Sequence, residues 1–235
     1  MRDPDYIAIL ETGSPPAGLD QTYGTYAEMF EGTLAREGRT FRVFRATQGE
    51  LPPAHDERLK GVVITGSPSG VYESDPWIQA LLYWLRALDR DIPAVGICFG
   101  HQIMAQAYGG RVEKSARGWG VGLHHYDIAL REPWMDSTAP IAVAVSHQDQ
   151  VVEPPPGARV IGGSAFTPFG LLDFGDGAVS MQCHPEFDPA YATALIEARS
   201  GVLGALAAPA VQSLQAPNDR GRVGGWIRCI LAQDD

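Results

Sequence analysis

The chain has 235 residues, 45% of them hydrophobic and 20% charged, an ordinary globular composition that suits one large α/β domain or two small ones. Its formal net charge of -10 argues against a nucleic-acid partner, which calls for a basic face. No apolar run reaches the length of a membrane span, and Met1-Arg2-Asp3-Pro4-Asp5 does not start a signal peptide. Three widely spaced cysteines make no disulfide framework, so a reduced, cytoplasmic setting away from membranes is expected.

Tyr6-Ile7-Ala8-Ile9-Leu10 is an apolar strand candidate, followed by a Gly/Pro-rich loop from Thr12 to Gly18. Tyr23, Tyr26, Ala27, Phe30 and Leu34 then recur at helical spacing, with Gly38 as the stop. Phe41 and Val43 suggest a second strand, Leu51-Pro52-Pro53 a loop, and Gly61-Val62-Val63-Ile64-Thr65 a third strand. Strand, helix, strand, loop, strand begins a parallel sheet with helices on its faces. The loop Gly66-Ser67-Pro68-Ser69-Gly70 lacks the spacing and the Gly-Lys-Ser/Thr ending of a phosphate loop. It leaves the carboxyl end of a strand, where open α/β sheets bind ligands. Asp75 and Pro76 read as N-cap and first helical residue of a helix running to Arg90, with Ile78, Leu81, Leu82, Leu85 and Leu88 on its core face.

The next stretch carries the chemistry. Ile92-Pro93-Ala94-Val95 reads as a short buried strand, Gly96-Ile97-Cys98-Phe99-Gly100 as a sharp turn, and Gln102 to Tyr108 as a helix ended by Gly109-Gly110. This is the cysteine version of a nucleophile elbow. Glycines on both sides allow a tight turn, and the amides opening the helix favour thiolate over thiol. A free thiol of pKa about 8.5 is only a few per cent ionised at pH 7, so a base is also needed.

From Arg111 to Cys183 the character is β. Val121 to Leu130, Ile141 to Ser146, Arg159 to Ile161, Gly170 to Phe174 and Ala178 to Cys183 are strand candidates separated by Pro and Gly. Pro189 to Arg199 is helical, and Trp226, Ile227 and Ile230 mark a final short helix in the tail from Gly201. No linker interrupts the chain, so residues 1–235 are expected to form one domain with a helical C-terminal tail.

Of six histidines, His184 is the candidate base. It ends a strand, and Glu186 follows across Pro185; residues two apart in an extended segment share a face, so the carboxylate reaches the imidazole. Cys98, His184 and Glu186 thus supply thiol, base and orienting acid. His55 lies in a Pro-rich acidic loop, His101 starts the elbow helix, and His124 and His125 face opposite ways within a strand. These and His147 have no metal-ligand spacing, so neither metal nor cofactor is expected.

On the motifs Gly96-Ile97-Cys98-Phe99-Gly100-His101-Gln102 and Gln182-Cys183-His184-Pro185-Glu186, the chain resembles the class I (triad) glutamine amidotransferases. The match is closest to the amidotransferase domain of GMP synthase and its stand-alone relatives, over about Tyr6 to Phe187. Thr65-Gly66-Ser67 and Ser146-His147-Gln148-Asp149 add weaker support. The resemblance implies an open, mostly parallel, flavodoxin-like three-layer α/β fold with added antiparallel strands.

It also implies hydrolysis of the glutamine side-chain amide: Cys98 forms a γ-glutamyl thioester, ammonia leaves, and His184 shuttles the proton. Gly66 and Phe99 would offer oxyanion N–H groups, and Gln102 with Ser146, His147, Gln148 and Asp149 would hold the α-amino and carboxylate ends. Two residues depart from the family pattern: Gln148 stands where glycine is frequent, and Cys183 where an aromatic residue is usual. Cys183 is expected in the core. No ATP-binding motif is visible, so an amidotransferase would pass ammonia to a separate synthetase subunit. The alternatives are a stand-alone γ-glutamyl peptidase and a non-catalytic regulatory subunit, the latter opposed by an intact triad.

Overall fold

Apolar runs with no polar alternation make strands covered on both faces. β1 (Tyr6–Glu11), β3 (Leu59–Ile64) and β4 (Ala94–Ile97) are of this kind, while β2 (Phe41–Arg45) is more exposed. The chain adds β5 (Arg111–Lys114), β6 (Gly120–Ile128), β7 (Ile141–His147), β8 (Asp149–Glu153), β9 (Arg159–Gly163), β10 (Leu171–Gly175) and β11 (Ala178–Met181). The computed structural model describes residues 4–232. Residues 1–3 of the N-terminal stretch and 233–235 of the tail lie outside the described residues.

Nine strands form an open sheet in the order β2-β1-β3-β4-β11-β10-β9-β6-β7. β2, β1, β3, β4 and β11 are mutually parallel, and the pairs from β11 to β7 are antiparallel. β5 and β8 pair separately as a two-stranded antiparallel sheet. The expected α/β architecture is therefore present, with the antiparallel strands extending one side of the parallel sheet.

The helices are α1 (Leu19–Tyr23), α2 (Tyr26–Leu34), α3 (Pro76–Ala87), α4 (Phe99–Ala107), α5 (Pro189–Ala198), α6 (Ser200–Leu203), α7 (Ala207–Ser213) and α8 (Arg220–Ile230). Successive strand residues point to opposite faces, which splits the core in two. Ile7, Ile9, Val63, Val95 and Ile97 meet α2 and α8 on one face; Ala8, Leu10, Val62, Ile64 and Ala94 meet α3 and α4 on the other. A third cluster packs Tyr26, Phe187, Tyr191 and Leu195 with α7 against the outer side of β6 and β7.

Several boundaries differ from the sequence expectation. The first helix is two, because Gly24 at φ 82° breaks it and Thr25 caps α2 with a reciprocal Glu28 contact. Pro76 opens α3, but the Asp75 side chain makes no capping bond, and α3 stops at Ala87. The elbow strand sits two residues later than expected, at Ala94–Ile97, and its helix opens at Phe99. β5 and β8 have no apolar alternation to announce them; each is specified by its partner.

The tail closes an exposed edge. Asp219 donates its N–H to the Ala142 carbonyl at 2.7 Å, and its Oδ2 accepts the Ala142 N–H at 2.8 Å. α8 buries Val223, Trp226, Ile227 and Ile230, as expected of the last three. Burying a side chain of this size contributes roughly 1.5–3 kcal/mol.

Candidate active site

The turn after β4 is strained where the chemistry needs it. Cys98 has φ 55° and ψ -103°, a conformation that costs a non-glycine residue about 1–3 kcal/mol. Its N–H donates to the Met181 carbonyl at 2.8 Å, continuing the β4–β11 ladder, and its carbonyl accepts the Gln102 N–H at 3.0 Å. The flanking glycines permit this: a Cβ on Gly96 would strike the Gly100 carbonyl, and one on Gly100 would strike the Ile64 carbonyl. Phe99 is the first residue of α4, so its amide has no acceptor within the helix.

β11 ends at Met181, and His184 to Phe187 form a turn closed by the Phe187 N–H to the His184 carbonyl at 3.3 Å. The expected extended segment is thus a turn, yet it makes the expected contact: Nδ1 of His184 donates to Oε1 of Glu186 at 2.6 Å. Both residues are 3% exposed. The His184 ring stacks on Phe187, centroids 4.0 Å apart, and the backbone N–H of His184 donates to the Ala144 carbonyl on β7 at 2.8 Å. His184 is therefore held by backbone, by stacking and by carboxylate.

Burial by itself pushes the His184 pKa down, but the charges of Glu186 and Cys98 outweigh it and hold the imidazole above its ordinary value. Cys183 is fully buried, as expected, and burial pushes its thiol pKa up, whereas Cys229 is exposed.

Gly66 lies against the triad. A Cβ there would be 3.0 Å from Cε1 of His184 and 3.7 Å from Cβ of Cys98. Nε2 of Gln102 donates to the Asp149 carbonyl at 2.9 Å and to Oε1 of Gln182 at 3.1 Å. His147 lies 3.1 Å from the same carbonyl through Nδ1, and burial pushes its pKa down to about 3. Its Nε2 is buried without a hydrogen-bond partner among the described residues. The Gln148 carbonyl accepts the Ser115 N–H at 3.1 Å, tying the loop to the end of β5. Burial raises the Asp149 pKa. Ser146 is on the other face of β7, where its hydroxyl accepts a bond from Nη1 of Arg199 at 2.8 Å.

Of the four remaining histidines, His125 is exposed on β6 and the other three have partners of their own. His101 is buried beside Oγ of Ser180 at 2.7 Å, His55 meets Asp89 at 2.7 Å on the surface, and His124 packs edge-on against Phe166. No group of three or more metal-ligating side chains occurs among the described residues. Cavities lined by Arg86, Tyr108 and Phe174, and by Tyr6, Arg36 and Lys60, contain no triad residue. The chemistry of the buried triad, rather than the depth of a cavity, marks the site.

Sequence reasoning missed Phe187, Tyr26 and Tyr191 around the base, Arg199 beside Ser146, and Thr12 behind Gly66. Their roles come from strand adjacency and leave no local motif.

Comparison with known proteins gives the same picture. The model of the family "Glutamine amidotransferase class-I" matches residues 20–199. Gamma-glutamyl peptidase 3 of Arabidopsis thaliana is 33% identical over 72% of this chain and 72% of its own. GMP synthase of Pyrobaculum aerophilum is 34% identical over 59% of this chain but only 26% of its own length. A glutamine amidotransferase of Thermotoga maritima has the same fold, with TM-score 0.77, 19% identity and 98% of each chain covered. The chain belongs to the class-I glutamine amidotransferases, a family of cysteine-dependent amide hydrolases.

Proposed function

We propose that the chain hydrolyses γ-glutamyl amide bonds through a thioester on Cys98, with glutamine as the simplest substrate. The observation that carries this is the buried 2.6 Å contact of His184 with Glu186 beside the strained Cys98. The ring nitrogen of His184 that does not face Glu186 takes the thiol proton. The thiolate adds to the amide carbon, and the carbonyl electrons move onto oxygen. The Phe99 amide and those of Gly66 and Ser67 donate to this oxyanion. Collapse breaks the C–N bond as His184 returns its proton to nitrogen, and ammonia leaves. Water, deprotonated by His184, then attacks the thioester, and glutamate and the thiol are released. Gln102 and the segment His147, Gln148 and Asp149 hold the α-amino and carboxylate ends, while Ser146, turned toward Arg199, takes no part.

A γ-glutamyl peptide passes through the same steps with an amine in place of ammonia. This second substrate class is favoured by the likeness to a γ-glutamyl peptidase across most of both chains. Likeness to GMP synthase supports a third arrangement, in which a separate synthetase subunit consumes the ammonia. A reduced, cytoplasmic setting suits a thiolate nucleophile, and no single described helix is long and apolar enough to cross a membrane.

The test is kcat/KM for glutamine and for a γ-glutamyl dipeptide, on the pure chain and on Cys98→Ala. Turnover lost with Cys98 supports the proposal, and the better substrate names the class. If neither is cleaved and no captured partner restores activity, a regulatory subunit takes the enzyme's place.

A further inference from the structure

Thr12 follows β1, belongs to no catalytic motif, and is completely buried. Its N–H donates to Oγ1 of Thr65 at 3.0 Å. Its own Oγ1 lies 2.9 Å from the Thr65 carbonyl, 3.2 Å from Oγ1 of Thr65 and 3.1 Å from the Gly66 carbonyl. Oγ1 of Thr65 reaches the Gly66 carbonyl as well, at 3.2 Å. Both buried hydroxyls, each with a single proton to give, thus lie within hydrogen-bonding distance of one carbonyl in the loop that faces Cys98, and the Thr12 proton is shared between this carbonyl and that of Thr65. Gly13 adds a steric wall: a Cβ there would lie 2.8 Å from Cδ of Pro68, 3.0 Å from Cα of Ser67 and 3.2 Å from the Gly66 carbonyl.

We propose that Thr12 and Gly13 are positioning residues that fix the Gly66–Ser67 peptide in its oxyanion-binding orientation within the isolated chain. The peptide is trans, so its N–H and C=O point in opposite directions. In the sheet order β1-β3-β4, Thr12 follows β1 and Cys98 follows β4. Holding the Gly66 carbonyl toward Thr12 turns the Ser67 N–H toward the Cys98 side. A flipped peptide would strip a buried carbonyl of its hydroxyl partners, and buried polar groups left unpaired are disfavoured. The hole is thus set by residues of this chain, with no contribution from a second subunit. This inference rests on the oxyanion chemistry of the proposed function, and it selects the readings in which the chain works alone.

The test compares Thr12→Val, which keeps the shape and loses the hydroxyl, with Thr12→Ser, which keeps the hydroxyl. Three kinds of measurement are made on folded protein: kcat and KM for glutamine and a γ-glutamyl dipeptide, affinity for a γ-glutamyl aldehyde, and the rate of alkylation of Cys98 by iodoacetamide. The thiol adds to the aldehyde carbonyl to form a hemithioacetal whose oxygen needs the hole. Iodoacetamide reacts by displacement of iodide and needs no oxyanion donor. Thr12→Val should lower kcat by about 10²–10³, the range for loss of one oxyanion donor, with KM little changed. Aldehyde affinity should fall by a similar factor, alkylation should keep its wild-type rate, and Thr12→Ser should recover most of both losses.

Unchanged aldehyde affinity in Thr12→Val overturns the inference. So does a loss of alkylation parallel to the loss of kcat, which would mean general damage to the site. If Thr12→Val does not fold, Gly13→Ala, which presses on Ser67 and Pro68, is judged by the same aldehyde-to-alkylation ratio. A wild-type chain that binds the aldehyde and alkylates yet cleaves neither substrate counts against the proposed function, while the aldehyde comparison still decides the clamp.

Discussion

Glu186 reaches His184 through one carboxylate oxygen at 2.6 Å, while its other oxygen is buried with no hydrogen-bond partner among the described residues. A buried carboxylate satisfied on one side only is expensive to hold and is worth holding for what it does to the imidazole. Glu186→Gln should therefore fold, melting lower than the wild type only by the stability that the charged pair contributes. Its kcat should fall, by up to about 10⁴ if the carboxylate matters as much as in a serine-protease triad. Thermal melting and turnover on one preparation check both halves. Near-normal turnover would mean that another group orients the base.

The raised pKa of His184 gives a pH signature. The folded value lies above the unfolded one, about 6.5, because Glu186 and Cys98 favour the imidazolium against the opposing effect of burial. Stability from this group is fully present below the unfolded value and is lost as pH rises through the folded one. Return of the proton to the leaving nitrogen should fail over the same alkaline range. The alkaline limb of kcat/KM should lie well above 6.5 in the wild type and move down toward it in Glu186→Gln. A limb that stays in place would belong to another group.

Thiol selectivity follows from the three cysteine environments. Cys229 is exposed with no histidine hydrogen-bonded to it among the described residues, and Cys183 is buried with its thiol disfavoured as thiolate. A glutamine-like electrophile should label Cys98 far faster than either, as read by peptide mass spectrometry. Label mainly on Cys183 or Cys229 would remove Cys98 as nucleophile.

The elbow also makes a stability prediction. Gly100→Ala brings a methyl group against the backbone of Ile64 on β3, where no side-chain movement can relieve it. A loss of about 1–3 kcal/mol is expected, the usual cost of overpacking, from denaturant midpoints at constant slope. An unchanged midpoint would show that α4 can shift away from β3.

How far the site was legible depends on whether its parts are close in sequence. Cys98 between two glycines after an apolar run, and His184 two residues from Glu186, are local patterns. The contact of the second pair was expected from an extended segment and arises instead in a turn, since either geometry brings side chains two apart together. Thr12 had no such pattern. Its place behind Gly66 follows only from the β1–β3 pairing, which puts the two strand ends side by side. Ser146 illustrates the opposite failure. It sits in a motif associated with substrate, but its strand position turns the hydroxyl toward Arg199. β5 and β8 were invisible because their short, polar sequences gain their strand character from pairing with each other.

The bond from the Cys98 N–H to the Met181 carbonyl has a kinetic consequence. It joins the end of β11 to the turn after β4, segments separated in the chain by the whole run from β5 to β10. Contacts across such long loops form slowly, because chain closure must precede the interactions that reward it. During refolding from denaturant, far-ultraviolet circular dichroism should recover before the thiol regains its fast reaction with a glutamine-like electrophile. The nucleophile would then be among the last parts of the molecule to acquire its native chemistry, and a half-folded chain would carry an ordinary, slow thiol.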